Sequence, residues 1–138
     1  MPVKAHHLGP GTLKIGETGT AQEWGAQITN AKIAFSLNEE DPTPVLSGEE
    51  LDGDDTLTSE LSGTVLQSYD VAGLVYWSKE NALAKLPFDF VPNSADSEFG
   101  ARGVVKIVPL DLGGDVKKRN TSDFTLKCIG DVEYYTLP

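Results

Sequence analysis

Two long runs of this chain alternate between apolar and polar residues, a pattern that a β-strand produces and an α-helix does not. In residues 56–67 the positions Leu57, Leu61 and Val65 are apolar, so one face of a strand would be buried. The opposite face carries hydroxyl and carboxylate side chains, from Thr56, Thr58, Glu60, Ser62 and Thr64. The sequence therefore predicts a strand with one core face and one polar face.

The earlier run, residues 24–37, also alternates, but its apolar positions change from even to odd numbers near Thr29 and Asn30. Successive side chains of a strand point to opposite faces, so a change of parity requires an extra residue or a bend. We expect a long strand with a β-bulge at this point. Its first residue, Trp24, and Trp77 further along occupy core-like positions in different elements.

Shorter apolar runs predict four further strands, at residues 12–16, 86–90, 102–110 and 124–134. The first of them belongs to an N-terminal arm, residues 1–20. Pro87 and Pro92 indicate that the second is short or lies at a sheet edge, because proline cannot donate to a ladder. The last run predicts one buried face, formed by Phe124, Leu126, Cys128, Val132 and Tyr134.

One helix is predicted, over about residues 71–82, from the helical spacing of its apolar residues. Asp70 is the expected N-cap, and Lys79 would lie near the negative end of the helix dipole. Fourteen glycines and eight prolines add many turns. The predicted fold class is therefore all-β with one helix, as a β-sandwich or flattened barrel.

The net charge of −10 comes from one stretch, because residues 33–78 contain ten acids and no lysine or arginine. Eight of these acids lie in a long loop between the two long strands, residues 38–55: Glu39, Glu40, Asp41, Glu49, Glu50, Asp52, Asp54 and Asp55. Such a surface makes free nucleic acid an unfavourable ligand. The basic cluster of Lys117, Lys118 and Arg119 is either a solvated loop or the complement of an acidic patch on a neighbouring molecule.

No window approaches the roughly 20 apolar residues of a spanning helix, and the N-terminal residues lack the apolar segment of a signal peptide. We expect a soluble, non-secreted product. Cys128 is the single cysteine, so no intrachain disulfide forms. Phosphate-binding glycine motifs and a four-ligand zinc set are missing, so no cofactor or metal is expected. His6 and His7 lack a packed partner and the acids lie in a loop, which disfavours an enzyme.

The alternative is a monomeric β-sandwich binding module for carbohydrate or calcium. Asp52, Asp54 and Asp55 are hard oxygen donors, although the residues after them do not follow the EF-hand pattern. Tyr134 and Tyr135 are possible platforms for a sugar ring.

Several segments, in their order and spacing, resemble the major tail tube proteins of long-tailed bacteriophages, particularly those that infect actinobacteria. The resemblance spans nearly the whole chain. It rests on Leu8–Gly16, Glu39–Gly48, Pro87–Asn93, Val108–Leu110, Gly113–Asp115 and Ser122–Phe124.

The resemblance implies a single tail tube domain, residues 1–138, that assembles into sixfold rings stacked as a hollow tube around the tape measure protein. It implies a place in the virion tail after assembly in the cytoplasm of the host bacterium, without contact to a membrane. In such proteins the long loop, here residues 38–55, reaches an adjacent subunit or ring, and a polar face, here residues 56–64, lines the bore.

DNA that crosses such a bore should meet few cations, because each basic contact to phosphate favours binding. A wall of hydroxyls and acids would let DNA pass without tight binding. Lys32 shares the polar face of the earlier strand, so we expect it to pair with an acid such as Glu60.

Overall fold

The computed structural model describes residues 5–17 and 21–137. Within them the chain forms nine strands, one single-turn 3₁₀ helix at Trp24–Ala26 and one α-helix, α1, at Leu74–Glu80. The strands are β1 (Thr12–Ile15), β2 (Gln22–Glu23), β3 (Ile28–Asn38), β4 (Thr43–Pro44), β5 (Glu50–Leu51), β6 (Thr56–Leu66), β7 (Lys85–Val91), β8 (Phe99–Lys106) and β9 (Thr121–Thr136).

Seven of the strands follow the order β2-β1-β7-β8-β9-β6-β3, and all of their pairings are antiparallel. Strand β9 belongs to two layers, since its first half pairs with β6 and its second half with β8. Within the second half the β8–β9 register shifts between Arg102 and Val104, whose partners are Glu133 and Ile129. In this stretch Gly130 adopts φ +75°, a value that favours glycine. The predicted all-β fold with one helix, a sandwich or flattened barrel, is confirmed.

The core lies between these two layers. Leu61 and Val65 of β6 and Leu126 of β9 are fully buried on one side, and Ile15 and Val105 on the other. At one end Trp24 fills the gap, with its ring at right angles to those of Trp77 and Phe124, at centroid distances of 6.0 and 5.1 Å. Both tryptophans therefore serve packing, as the sequence predicts.

The bulge predicted near Thr29 and Asn30 is confirmed, because the register of β3 on β6 shifts between Ile28 and Asn30. The predicted start of this strand is wrong. Trp24 lies in the 3₁₀ turn, which the Glu23 carboxylate caps by accepting from the Gly25 N–H at 2.9 Å. The strand begins only at Ile28.

The helix is shorter than predicted, and Asp70 is not its N-cap. The Asp70 carbonyl accepts from the Gly73 N–H at 2.9 Å, which closes a turn ahead of the helix, and Gly73 itself is the N-cap. A side chain at Gly73 would collide with the Ser68 hydroxyl, so glycine fits this close approach. Lys79 lies in the last helical turn, as predicted.

Strand β7 has seven residues and lies between β1 and β8. Of the two predicted alternatives, a short strand or an edge strand, the edge position is therefore wrong. Pro87 is tolerated because β1 ends at Ile15, opposite Phe88, so no acceptor of that ladder needs the missing Pro87 N–H. The Pro87 carbonyl still accepts from the Gly16 N–H. Strand β8 also differs from the predicted 102–110, since it begins at Phe99 and ends at Lys106. Beyond it Ile107 and Leu110 are buried in irregular chain.

Much of the segment predicted as an N-terminal arm, residues 1–20, is part of the fold. Leu13 and Ile15 are buried in β1, which lies between β2 and β7. Residues 1–4 and 18–20 lie outside the described part. Within residues 5–17 and 21–137, no helix has the length and apolar character needed to cross a membrane.

Candidate assembly surfaces

The polar face predicted on β6 points away from the core. Its residues Thr56, Thr58, Glu60, Ser62 and Thr64 are exposed or half-buried, while Ser59, Leu61 and Val65 between them are buried. The register adds the outward residues of both neighbouring strands: Asn30, Lys32, Ala34, Ser36 and Asn38 of β3, and Asp123, Thr125 and Lys127 of β9. We call this three-stranded surface the polar face.

The predicted ion pair between Lys32 and Glu60 does not form. Within the described part of the chain the ion pairs are Arg102–Glu133, at 3.5 Å, and Lys118–Asp115, at 3.8 Å. Lys32 stands opposite Ser62, whereas Glu60 stands opposite Lys127 of β9. Sequence reasoning missed the contribution of β9, which only the strand order reveals.

The polar face carries no net charge. Lys32 and Lys127 balance Glu60 and Asp123, and the remaining side chains are hydroxyls, amides and one methyl group. Thr64 donates to the Asp123 carboxylate at 2.8 Å, which holds that acid against the sheet. The polar face is therefore hydrophilic and has no net charge, and its two lysines are not clustered.

The outer edge of this three-stranded layer is open. Strand β3 ends the sheet with eleven residues and pairs only with β6, while the opposite edge is the two-residue β2. A long unpaired edge exposes a row of backbone donors and acceptors to another chain. Such an edge can receive a strand from a second molecule.

Beside this edge the core-side surface of β3 and β6 extends beyond the core. Phe35, Leu37 and Leu57 have the parity predicted for burial, yet they are 44%, 59% and 56% exposed. Tyr134, whose burial the sequence also predicts, is 59% exposed and lies beside Phe99 and Phe35 at ring distances of 5.1 and 6.5 Å. Phe35, Leu37, Leu57, Phe99 and Tyr134 form what we call the aromatic patch. Alternation identifies the face of a strand, but it does not show where the opposite layer ends.

The acidic loop is an arm that joins β3 to β6, and all eight of its acids are exposed. Near its base the Asp54 N–H approaches the Glu40 carboxylate at 3.4 Å, and Gly53 lies so close to the Glu40 backbone that a side chain would clash. Further out, β4 pairs with β5 around a turn at residues 45–49. We call residues 38–55 the acidic arm.

The basic cluster lies at the opposite end of β6. Lys117, Lys118 and Arg119 are exposed, and Lys118 makes its ion pair with Asp115 at the surface. The Asn120 side chain closes this loop through two hydrogen bonds to the Asp115 backbone, both 3.1 Å. Since β6 has eleven residues, about 3.3 Å each, it separates this cluster from the acidic arm by roughly 30–35 Å. The two do not meet within one chain.

A shallow, open cavity of about 730 Å³ lies on the outside of β1, β7, β8 and β9. In it Tyr135 donates a short hydrogen bond to Asp89, and the Arg102 guanidinium lies over the Tyr135 ring at 5.1 Å. Partial burial and the neighbouring Asp89 raise the pKa of Tyr135 to about 12. The neutral phenol is thereby kept as a donor.

These contacts bear on the sugar platforms considered from the sequence. The Arg102 guanidinium lies over the Tyr135 ring, whereas Tyr134 stays 59% exposed beside Phe99 and Phe35. Across residues 5–17 and 21–137, no group of three or more His, Cys, Asp or Glu side chains is placed to hold a metal ion.

The fold and these surfaces define an all-β protein with an open sheet edge, an exposed aromatic patch and a long charged arm. No protein-family model matches the chain, and no curated protein matches it in sequence.

Solved structures do share the fold. A chain in the tail of an empty gene transfer agent particle, obtained by helical refinement with C6 symmetry, is 14% identical and superposes with a TM-score of 0.62. That match covers 91% of this chain and 95% of the other. A chain in the virion of a native gene transfer agent particle is 16% identical, with a TM-score of 0.60 over 90% and 95% of the two chains. The likeness spans nearly the full length of each protein.

Proposed function

We propose that this chain is a structural, non-enzymatic subunit of a bacteriophage-type tail tube. Residues 1–138 act as one tail tube domain, and copies join edge to edge into rings, with six subunits in each. Rings stack into a tube within the virion tail, around a tape measure protein and after assembly in the bacterial host cytoplasm. DNA is ejected through the bore.

The observation that carries this proposal is the unfinished edge at β3. Eleven residues of open strand lie beside the aromatic patch, whose five side chains remain 44–59% exposed. A second copy that extends the sheet from β3 would satisfy the backbone groups and cover Phe35, Leu37 and Leu57. Burial of apolar area contributes about 25 cal/mol per Å², so this patch adds substantially to association. The fold shared with a C6-symmetric tail supports the ring.

The polar face is the surface we assign to the bore. It lies on the same three strands that the ring would extend, so a ring of copies continues it into a closed wall. Its charges cancel, and its two lysines are not clustered, because Lys32 stands opposite Ser62 and Lys127 opposite Glu60. Each lysine that contacts a phosphate raises the affinity for DNA through counterion release. A wall without net charge should therefore bind DNA weakly and let it pass.

Electron microscopy and sedimentation velocity of the purified protein test the proposal. We expect uniform hollow rings or tubes that form as the protein concentration rises. A protein that stays monomeric at every concentration, and gains thermal stability with calcium, would instead support the monomeric binding module.

A matched pair of variants tests the role of the patch. Phe35→Ser should raise the concentration needed for ring formation at least about tenfold, because it removes a contact worth about 1.5–3 kcal/mol. Tyr76→Ser changes a side chain of similar exposure, 48%, on the helix away from the patch, and should assemble as the wild type does. Equal loss in both variants would contradict the assignment.

A further inference from the structure

The tip of the acidic arm is apolar, although its flanks are charged. Val45 is 48% exposed and Leu46 is as exposed as in an extended chain, at 106%. The turn that presents them is ordered by hydrogen bonds from the Val45 N–H to the Glu49 carbonyl and from the Gly48 N–H to the Val45 carbonyl, both 3.0 Å. Leu46 therefore serves no packing purpose within its own chain.

A second exposed apolar group lies at the other end of β6. Tyr69, Leu112 and Val116 are 70%, 72% and 85% exposed. Gln67 ties their segments together, because its side chain bonds both the Gly113 N–H and carbonyl and also accepts from the Tyr69 hydroxyl. We call Tyr69, Leu112 and Val116 the distal patch.

The basic cluster borders the distal patch. Val116 directly precedes Lys117, Lys118 and Arg119, and Asn120 fixes this loop to Asp115. Lys118 is partly satisfied by Asp115, whereas Lys117 and Arg119 make no ion pair within the described residues. The exposed acids Asp70, Asp111 and Asp115 also border this patch, and Asp115 pairs with Lys118. The cations that remain to meet the acids beside the apolar tip are therefore Lys117 and Arg119.

We propose that the acidic arm of one copy docks onto the distal patch of a second copy in the next ring. Leu46 and Val45 lie against Tyr69, Leu112 and Val116, while Glu49 and Glu50 face Lys117 and Arg119. This inference rests on the proposed function, since it names the contact that joins one ring to the next.

Geometry gives the direction of this contact. The two surfaces lie at opposite ends of β6, so neither can cover the other within one chain. Two different surfaces that meet between identical copies make a head-to-tail contact, which repeats without closing if each copy is displaced along the same axis. A contact that runs along β6 therefore builds a stack. Opposite charges set the register of docking, and the apolar tip supplies the contact that excludes water.

The first experiment separates stacking from ring formation. In Leu46→Ser, we expect rings that form at the wild-type concentration, whereas tube growth requires at least about tenfold more protein. Negative-stain electron microscopy and sedimentation velocity distinguish rings from tubes. Val116→Ser should have the same effect from the other side of the contact. Leu83→Asn, at a 67% exposed position on another loop, should stack normally.

The outcomes separate the two proposals. Tubes that grow normally in both Leu46→Ser and Val116→Ser would overturn the docking contact and leave the tube subunit intact. A wild-type protein that forms no ring at all would overturn the proposed function and, with it, this contact.

Disulfide trapping tests which residues meet. In a Cys128→Ser background, the double variant Leu46→Cys/Val116→Cys should give, on oxidation, a ladder of covalent oligomers longer than dimers. Each single-cysteine variant should give almost no covalent oligomer on oxidation. Efficient dimers from Leu46→Cys alone would mean that two arms meet each other, which contradicts docking on the distal patch.

Charge reversal tests the ionic part of the contact. Glu49→Lys/Glu50→Lys should abolish stacking, and adding Lys117→Glu/Arg119→Glu should restore it, because the same pairs form with opposite sign. Failure of the second pair to restore stacking would remove the charge pairing from the proposal.

Discussion

At the scale of single residues, the Asn93 side chain makes four hydrogen bonds to backbone groups of two segments. Its buried amide accepts from the Ala95 and Asp96 N–H groups at 2.9 and 3.0 Å, and donates to the His7 and Gly9 carbonyls at 3.1 and 3.3 Å. It thereby joins the turn after β7 to the segment that leads into β1.

Replacing Asn93 with alanine should lower the free energy of unfolding by about 1–3 kcal/mol, since buried backbone groups lose their partners. Urea denaturation at concentrations that keep the subunit monomeric measures this loss. Asn38→Ala, at an exposed position, is the control, and an equal loss there would contradict the role of Asn93.

The thiol of Cys128 offers a pH-dependent measurement at the same scale. Burial, and to a smaller extent the charge of Glu60, raise its pKa above the ordinary value of 9.0. Since the folded pKa exceeds the unfolded one, the stabilising contribution is complete below about pH 9 and is lost as the pH rises further. We expect the rate of iodoacetamide alkylation to rise at higher pH in the folded protein than in urea. Equal midpoints would contradict this, and Cys128→Ser should not react.

Among the elements, α1 depends on packing rather than on its own propensity. It has seven residues and no side-chain cap, which is too short to be stable alone in water. Leu74 is buried in the core and Tyr76 is exposed. Leu74→Ala should therefore destabilise the protein by about 2–5 kcal/mol. In thermal unfolding Tyr76→Ala should change little, and a comparable loss in both variants would show that α1 does not pack as described.

Element by element, alternation predicted the strands well and their ends poorly. The faces of β6 and the bulge of β3 follow from side-chain parity, a local property of the chain. The ends depend on what lies opposite. Leu57 and Phe35 have core parity but are 56% and 44% exposed, because they lie beyond the buried core. Asp70 loses its cap position to a turn closed by Gly73.

For the whole molecule, the strand order is the information that the sequence lacked. Periodicity did not show that β9 would pair with both β6 and β8, nor that this would place Asp123 and Lys127 on the polar face. The acidic arm and the basic cluster were recognisable from composition. Their separation along β6 was not, and it means that the two could meet only if they belong to different copies.

The neutrality of the polar face leads to a prediction for the assembled tube. Replacing Thr56, Thr58 and Ser62 with lysine would put three cations on each copy in the proposed bore. We expect such tubes to retain short linear DNA that resists nuclease, and wild-type tubes to retain none. Retention should fall steeply with salt, since the logarithm of the binding constant falls by about 0.9 per phosphate contacted for each unit of log salt.

A control separates the bore from the outer surface. Lysines at Tyr76, Leu83 and Val108, which are all exposed outside the polar face, add the same charge. They should bind DNA that stays sensitive to nuclease, because it lies on the outside of the tube. Nuclease-resistant DNA in wild-type tubes, or its absence in tubes with lysines on the polar face, would show that these three strands do not line the bore.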